Sequence, residues 1–222
     1  VAKLGKIPLW AQPGTIWHYS ISVDVQGYLV EVLSGMPFDR YLEDKVFRPL
    51  SMSDTAFYVP QEKAARLSRY YASREGQLAS EPNAEYLQKP ALFSGGGGLV
   101  STAEDYMRFA QMHLNGGTLD GVRILSEEAV TLMRSDQLPK DIAGLGGFMD
   151  PSNTFGLDFA IVNDSEKAYG QSEGIHWWFG VAGTWFWIDP ANDFILIGMI
   201  QTTNVFQAIG LHRQAKGLIY GK

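Results

Sequence analysis

Apolar residues in the first part of the chain recur at the spacing of amphipathic helices. Between residues 22 and 33 they lie three or four positions apart, which predicts a helix with one apolar face. They are Val25, Tyr28, Leu29, Val32 and Leu33. The same spacing predicts a helix over 37–48 and another over 127–134. A further helix lies between the capping-box pattern Ser101-Thr-Ala-Glu104 and the terminator Asn115-Gly-Gly117.

The last third of the chain has the composition of strands. Thr154 to Asn163 predicts one strand, and Gly183 to Gln201 predicts two strands joined by a turn at Asp189-Pro-Ala-Asn-Asp193, because β-branched and aromatic residues favour strands whereas Pro and Asn favour turns. Between them, the segment from Gly174 to Gly180 combines bulky aromatic residues with glycine, which is typical of a strand whose backbone is closely approached.

A closing helix over 203–220 completes the pattern, with Val205, Phe206, Ile209, Leu218 and Ile219 expected to face inward. Residues 51–93 are mixed, with candidate short strands at Phe57-Tyr-Val59 and Arg69-Tyr-Tyr71. Helices first and an antiparallel sheet last indicate an α+β fold with segregated layers. We expect a mainly helical and loop region over 1–150, followed by the sheet strands and C-terminal helix over 151–222.

Composition and charge narrow the function classes. The 222 residues carry a net charge of -6 and no basic run, which argues against nucleic acid as a partner. No apolar run approaches the length of a membrane span. Cysteine is absent and the four histidines have no metal-ligand spacing, so the sequence predicts neither disulfides nor a metal or cofactor site. The compartment stays open between bacterial cytoplasm and periplasm.

Two glycine-containing segments match known catalytic or binding motifs, but the residues that flank each segment argue against that function. The run Gly95-Gly-Gly-Gly98 is not followed by Lys-Ser or Lys-Thr, so it is not a phosphate-binding P-loop. Gly170-Gln-Ser-Glu-Gly174 matches the nucleophile-elbow pattern, with Asp189 and His212 as nominal partners. An elbow needs a strand before the serine and a helix after it, whereas an aromatic strand candidate follows Ser172.

Tyr19 is a more promising candidate, because it lies where a loop meets the first predicted helix. A tyrosine at such a junction can shuttle a proton if a nearby cation lowers its pKa. The simpler interpretation is a packing residue, and the residues alone leave both open.

Several segments together resemble the serine β-lactamase-related hydrolases, which include class C β-lactamases, family VIII carboxylesterases and D-alanyl-D-alanine peptidases. The resemblance covers nearly the whole chain. Its segments are Pro13-Gly-Thr-Ile-Trp-His-Tyr-Ser20, Val30-Glu-Val-Leu-Ser-Gly35, Phe47-Arg-Pro-Leu-Ser-Met-Ser-Asp-Thr55, Gly95-Gly-Gly-Gly-Leu-Val-Ser-Thr-Ala-Glu-Asp105 and Ala182-Gly-Thr-Trp-Phe-Trp-Ile-Asp-Pro190. It implies a fold like that of β-lactamases and penicillin-binding proteins.

The resemblance also implies roles for two segments. Tyr19-Ser20-Ile21 matches the family's Tyr-x-Asn motif, so Tyr19 is the expected base that relays the nucleophile's proton to the leaving group. Trp178-Phe179-Gly180 matches the Lys-Thr-Gly position at the cleft edge, which makes the backbone N–H of Val181 an expected oxyanion donor.

The chain departs from the family at these motifs. Ile21 replaces asparagine, and Trp178-Phe179-Gly180 lacks the lysine that holds a substrate carboxylate, which favours esters over lactams. Ile21, Trp178, Phe179 and Gly180 are the expected substrate contacts, and His176 is a candidate polar contact.

No lysine is preceded at three residues by serine, so the family's Ser-x-x-Lys motif is absent. We therefore expect the nucleophile upstream of this sequence, and an N-terminal half or second chain that completes the sheet. The expected function is a serine hydrolase that forms an acyl-enzyme from small esters or amide-like acyl compounds. The alternative is a non-catalytic relative that binds acyl-peptide or cell-wall fragments.

Overall fold

The computed structural model describes residues 3–81, 83–142 and 150–221. Five helices follow the order that the apolar spacing predicts. They are α1 (Ser22–Ser34), α2 (Phe38–Leu42), α3 (Ala103–Leu114), α4 (Glu127–Met133) and α5 (Val205–Tyr220), and α2 continues as a π-helical turn over Glu43–Phe47. Short 3-10 helices cover Leu4–Lys6, Gln61–Arg66 and Ala84–Leu87. The helical order of the sequence patterns is thus confirmed.

The strands form one antiparallel sheet of five strands and two separate hairpins. The hairpins pair β1 (Tyr70–Arg74) with β2 (Gln77–Glu81), and β3 (Thr118–Leu119) with β4 (Val122–Arg123). The sheet has the order β5-β6-β7-β8-β9. Its strands are β5 (Asn153–Phe155), β6 (Ala160–Val162), β7 (His176–Phe179), β8 (Thr184–Asp189) and β9 (Phe194–Met199). The α+β class is confirmed, whereas the division of the chain near residue 150 stays a prediction.

The three central strands bury side chains on both faces of the sheet. Trp177 of β7 lies opposite Trp187 of β8, and Trp178 lies opposite Phe186. Because successive residues of a strand point to opposite faces, the first pair faces α5 and the second faces α3. Gly198 of β9 makes room for this packing, since a Cβ atom there would lie 2.0 Å from Cε2 of Trp185.

Helix α3 packs on one face and begins one residue later than the sequence pattern predicts. Thr102, not Ser101, caps the helix by accepting a hydrogen bond from the Asp105 N–H at 3.1 Å. Ser101 instead bonds the hydroxyl of Thr55 at 2.8 Å. The buried carboxylate of Asp105 accepts from Thr55 as well, so the polar groups at the start of α3 bond a neighbouring loop.

Helix α5 packs on the other face through a surface that the sequence prediction did not identify. His212 lies against Trp177 and Trp187, with ring centroids 4.9 and 5.3 Å apart. The expectation that Phe206 and Leu218 face inward is wrong, because they are 80% and 86% exposed, and Ile219 is 43% exposed. The error arises because α5 is apolar on both sides, so spacing alone does not identify the side that meets the sheet.

Two strand predictions also need correction. The stretch from Thr154 to Asn163 is two antiparallel strands, β5 and β6, because the chain reverses at Asp158, which has a positive φ of 63°. Residues 57–59 form no strand; the neighbouring Ala56 forms an isolated bridge with Val100. The strand expected at residues 69–71 is confirmed as the start of β1.

Three histidines are buried in the packed layers beside the sheet. His113 of α3 and His176 of β7 lie 6.1 Å apart, and His212 lies on the other side. Burial lowers the pKa of His113 and His176 to about 4 each and that of His212 to about 3. The folded protein therefore holds these imidazoles neutral over a pH range in which an unfolded chain, with a histidine pKa near 6.5, binds protons.

This difference predicts acid-sensitive stability. The stabilisation is complete above pH 6.5 and is lost as the pH falls from 6.5 towards 4, because the unfolded state takes up protons that the folded state excludes. In urea titrations at pH 7 and pH 5, His113→Phe should reduce the loss of unfolding free energy by about 2 kcal/mol. An unchanged loss in this variant would contradict the assignment.

Candidate functional site

A cluster of aromatic rings joins the N-terminal loop to the sheet. The ring of Tyr19 lies 5.2 Å from that of Trp178, and Phe155 lies 5.4 Å from Trp178 and 5.1 Å from Trp17. In β7, His176 and Trp177 pair with Ile161 and Ala160 of β6, and Trp178 has no partner there. The paired region thus stops just before Trp178, at the end of β7 where the loop carrying Tyr19 arrives. The structure brings the two sequence-predicted motifs together at this position.

Tyr19 and Ile21 lie on the exposed segment that leads into α1. Their side chains are 43% and 48% exposed, and Ile21 occupies the N-cap position of the helix. An isoleucine side chain has no oxygen with which to cap the helix, and α1 has no side-chain cap hydrogen bond. Both predicted residues are therefore at the surface next to the aromatic cluster.

A tight turn connects β7 to β8 and presents Val181. Gly180 N–H donates to the carbonyl of Thr184 at 2.8 Å, and Gly183 N–H donates to the carbonyl of Gly180 at 3.0 Å. Val181, at the tip, is 79% exposed. Among the backbone hydrogen bonds of the described residues, the Val181 N–H donates none. An exposed backbone donor on a closed turn has the form of one half of an oxyanion hole.

Glycine is required at both ends of this turn. A Cβ atom at Gly180 would lie 2.6 Å from the Thr184 hydroxyl, and one at Gly183 would lie 2.8 Å from the Ile200 side chain. Gly183 also has a φ of 98°, a backbone conformation that residues other than glycine rarely adopt. The turn that presents Val181 is thus fixed by close packing.

Phe179 and His176 have different surroundings from Trp178. Phe179 of β7 pairs with Trp185 of β8, and its half-buried ring lies 5.4 Å from that of Trp178. His176 is fully buried, and its ring packs against Phe159 at 5.4 Å. The sequence predicts His176 as a polar substrate contact. In the structure its ring is enclosed by the core, because the alternation of side chains along β7 turns it towards α3.

The glycine run over Gly95–Gly98 packs against the start of α1, the helix that follows the Tyr19 segment. The carboxylate of Asp24, in the first turn of α1, accepts a hydrogen bond from the Ser94 hydroxyl at 2.6 Å and one from the Gly96 N–H at 3.4 Å. A Cβ atom at Gly95 would lie 2.3 Å from the carbonyl oxygen of Val23. The glycines therefore allow this loop to pack against the start of α1, which begins at Ser22, shortly after Tyr19.

Ser172 takes part in a structural hydrogen-bond network. Its hydroxyl donates to the buried carboxylate of Asp189 at 3.3 Å and accepts from the Asn192 side chain at 2.8 Å. The Tyr220 hydroxyl donates to the same carboxylate at 2.9 Å, which ties the end of α5 to β8. Strand β7 follows Ser172, and no helix does. The elbow interpretation is therefore rejected, as its sequence context indicated.

Sequence reasoning missed Trp17, Phe155 and Asp24 as parts of this region. Trp17 had a signal, because it stands two residues before Tyr19 and so shares its side of an extended segment. Phe155 and Asp24 had none, since their roles come from contacts distant in sequence.

Within residues 3–81, 83–142 and 150–221, no group of three or more histidine or acidic residues is arranged to hold a metal ion. No helix in this part of the chain has the length and apolarity needed to cross a membrane.

Comparison with known proteins extends these observations. Residues 1–218 match the family model described as Beta-lactamase. An uncharacterized protein of Mycobacterium tuberculosis is 37% identical over 210 residues, which are 90% of this chain and 52% of that protein. A protein of Escherichia coli named as a D-alanyl-D-alanine carboxypeptidase is 28% identical over 86% of this chain and 46% of its own length. The chain spans about half the length of the curated relatives it matches.

Solved structures agree in fold. The hydrolase EstCE1, which has promiscuous acyltransferase activity, superposes with a TM-score of 0.83 at 23% identity, over 98% of this chain and 60% of that one. Simvastatin synthase (LovD) of Aspergillus terreus gives a TM-score of 0.81 at 21% identity, over 96% of this chain and 57% of that one. At such identities the likeness concerns the fold alone, and it confirms the architecture expected from the sequence.

Close packing of the glycine run gives a direct test of its role. Gly95→Ala should lower the free energy of unfolding by about 1–3 kcal/mol, because the new Cβ must displace the backbone at the start of α1. Gly97→Ala is the matched control, since nothing lies within 4 Å of a Cβ atom there. Equal urea midpoints for the two variants would show that the loop does not support α1.

Proposed function

The chain belongs to the beta-lactamase family, whose members are serine hydrolases, and on this premise we propose that it forms one side of an active site. The intact protein hydrolyses small carboxylic esters or amide-like acyl compounds through an acyl-enzyme. The observation that carries this proposal is the contact of Tyr19 with Trp178, at 5.2 Å. It joins the family's tyrosine motif to the strand expected at the edge of the cleft.

Each residue of the site has a role in this proposal. Tyr19 takes the proton of the attacking serine and passes it to the leaving group. The N–H of Val181 donates to the oxyanion that forms on the substrate carbonyl, which a preorganised donor stabilises strongly. Trp178, Phe179 and Ile21 provide the apolar surface for the acyl group, and Gly180 lets the substrate lie against bare backbone.

The chemistry of this surface supports esters more than lactams. Trp178 and Phe179 occupy the positions where the family pattern has lysine and threonine, and Ile21 occupies the position of asparagine. These residues give a substrate carboxylate neither a cation nor an amide to bind. They do bury an apolar acyl or alkyl group from water, which stabilises its binding by roughly 25 cal/mol per Å².

The nucleophile and a large part of the packing surface are proposed to come from outside this sequence. Two apolar surfaces and one unpaired sheet edge of the described chain lack a covering element. The first is on α1, where Val32 and Leu33 are 58% and 85% exposed, and the second is on α5, with Phe206 and Leu218. The third is the outer edge of β9, which is the last strand of the sheet. Exposed edges and apolar patches of this kind favour association with another segment.

The second candidate function is a non-catalytic family member that binds acyl-peptide or cell-wall fragments. The absence of Ser-x-x-Lys from this sequence and the replacement of asparagine by Ile21 favour it. The two candidates differ in whether the adjoining part of the protein supplies the nucleophile.

Substitution of the tyrosine tests the first candidate in the intact protein. Tyr19→Phe should lower kcat for a p-nitrophenyl ester by about 10²–10⁴-fold, because the variant keeps the aromatic contact and loses the proton carrier. Tyr28→Phe is the matched control, since Tyr28 is equally exposed, at 43%, on α1. Full ester turnover by Tyr19→Phe would refute its role, and faster turnover of nitrocefin than of the ester would refute the substrate preference.

The proposed dependence on a further segment has its own test. Expressed alone, this chain should show no ester turnover and should self-associate in sedimentation experiments, because its apolar surfaces find no other partner. The protein that includes the adjoining sequence should sediment as a defined species. A chain that is monomeric and unfolds cooperatively by itself would contradict this expectation.

A further inference from the structure

A pocket of about 630 Å³ lies apart from the aromatic site and takes no part in the proposed chemistry. Its walls come from Glu43 and four stretches: the loop over 53–60, the 3-10 helix and following residues over 61–71, residues 100–102 and residues 199–201. None of Tyr19, Trp178 and Val181 lines it. Its size falls within the range of roughly 300–1,000 Å³ that is typical of small-molecule sites.

Backbone hydrogen bonds fix the pocket walls relative to one another. The N–H of Ala56 donates to the carbonyl of Val100 at 3.1 Å, and the N–H of Val100 donates back at 2.8 Å. On the other side, the N–H of Tyr71 donates to the carbonyl of Gln201 at 3.1 Å. These bonds hold segments that are distant in sequence, so the pocket is preformed and does not depend on a ligand to assemble it.

The charges of the pocket are unusual for an acidic chain. Lys63, Arg66 and Arg69 line it together with Asp54 and Glu43, in a protein whose net charge is -6. Three cations therefore face two carboxylates. Glu104 and Asp105 also act on Arg66, so an anion is attracted by an individual exposed cation and not by a net charge of the whole pocket.

Two of the cations are held by one carboxylate. Arg66 forms two hydrogen bonds of 2.7 Å to the two oxygens of Asp54, and Lys63 adds a third of 2.7 Å. The guanidinium of Arg66 and the ammonium of Lys63 hold the pKa of Asp54 well below its usual range. Lys63 and Arg66 are thus engaged by the carboxylate of Asp54.

Arg69 is the cation best placed to receive a ligand. It is exposed and lies just before β1, and its guanidinium donates a long hydrogen bond of 3.4 Å to the hydroxyl of Ser80. Arginine presents a planar set of donors that matches both oxygens of a carboxylate. Nearby, Val59, Leu67 and Met199 give the pocket an apolar surface.

From this combination we propose that the pocket is a binding site for a small organic carboxylate with an apolar body, with Arg69 contacting the carboxylate. The apolar lining takes the body of the ligand, and the guanidinium of Arg69 donates charge-assisted hydrogen bonds to its carboxylate. One hydrogen bond links the pocket to the site: the N–H of Thr202, the neighbour of pocket-lining Gln201, donates at 2.8 Å to the carbonyl of Ala182, in the turn that presents Val181. A bound carboxylate therefore lies beside the segment that supports this turn.

Calorimetric titration of the intact protein tests the proposal with octanoate and, as the uncharged counterpart, octanol. Octanoate should bind saturably and octanol at least about tenfold more weakly, since only the carboxylate forms charge-assisted hydrogen bonds. Arg69→Gln should weaken octanoate binding by about tenfold or more and leave octanol binding unchanged. Added salt should weaken octanoate binding in the wild type.

Arg74→Gln is the matched control, because Arg74 lies on the same hairpin, is 70% exposed and does not line the pocket. It should leave octanoate binding unchanged. The proposal is overturned if octanoate does not bind, if octanol binds equally well, or if the two arginine variants behave alike. Binding is measured without turnover, so this result is independent of whether Tyr19 acts in catalysis.

Discussion

The alternation of side chains along β7 is the constraint on which the rest of the structure depends. His176 and Trp178 face α3 and the Tyr19 loop, whereas Trp177 faces α5. The register with β8 fixes this arrangement, because Trp177 pairs with Trp187 and Trp178 with Phe186. A shift of one residue would exchange the two faces. It would place a tryptophan where His176 packs and withdraw Trp178 from Tyr19.

Both sides of the candidate site are held by tertiary contacts, which suits a site that must be preorganised. The tyrosine side rests on α1, whose first turn is bonded through Asp24 to the glycine run before α3. The strand side ends in the Gly180–Gly183 turn, which is bonded through Ala182 to Thr202. The surface between them is aromatic and uncharged at the motif positions. In the function proposed here, that surface selects the acyl group while backbone donors stabilise charge.

Two buried carboxylates, those of Asp105 and Asp189, are hydrogen-bonded, and the three buried histidines are neutral. Asp105 and Asp189 are buried, yet each accepts several hydrogen bonds, which offset the cost of removing a charge from water. The buried histidines avoid that cost by remaining unprotonated. Lys216 is a further ionisable group beside the sheet: burial lowers its pKa to about 8, and its ammonium lies 4.4 Å from the ring centroid of Trp177.

The sequence by itself determined the helices, the β8–β9 hairpin and the α+β class, because apolar spacing, caps and turn residues are local properties. The two motif segments came from the family resemblance, and the roles of their residues stay predictions. It did not determine that Thr154 to Asn163 reverses at Asp158, or which face of α5 packs on the sheet, because α5 is apolar on both sides. Only the tertiary structure decided that Trp178 meets Tyr19 while His176 is enclosed. The reason is physical: a strand's pattern shows that its residues alternate between faces, whereas the element that covers each face is set by contacts far apart in the chain.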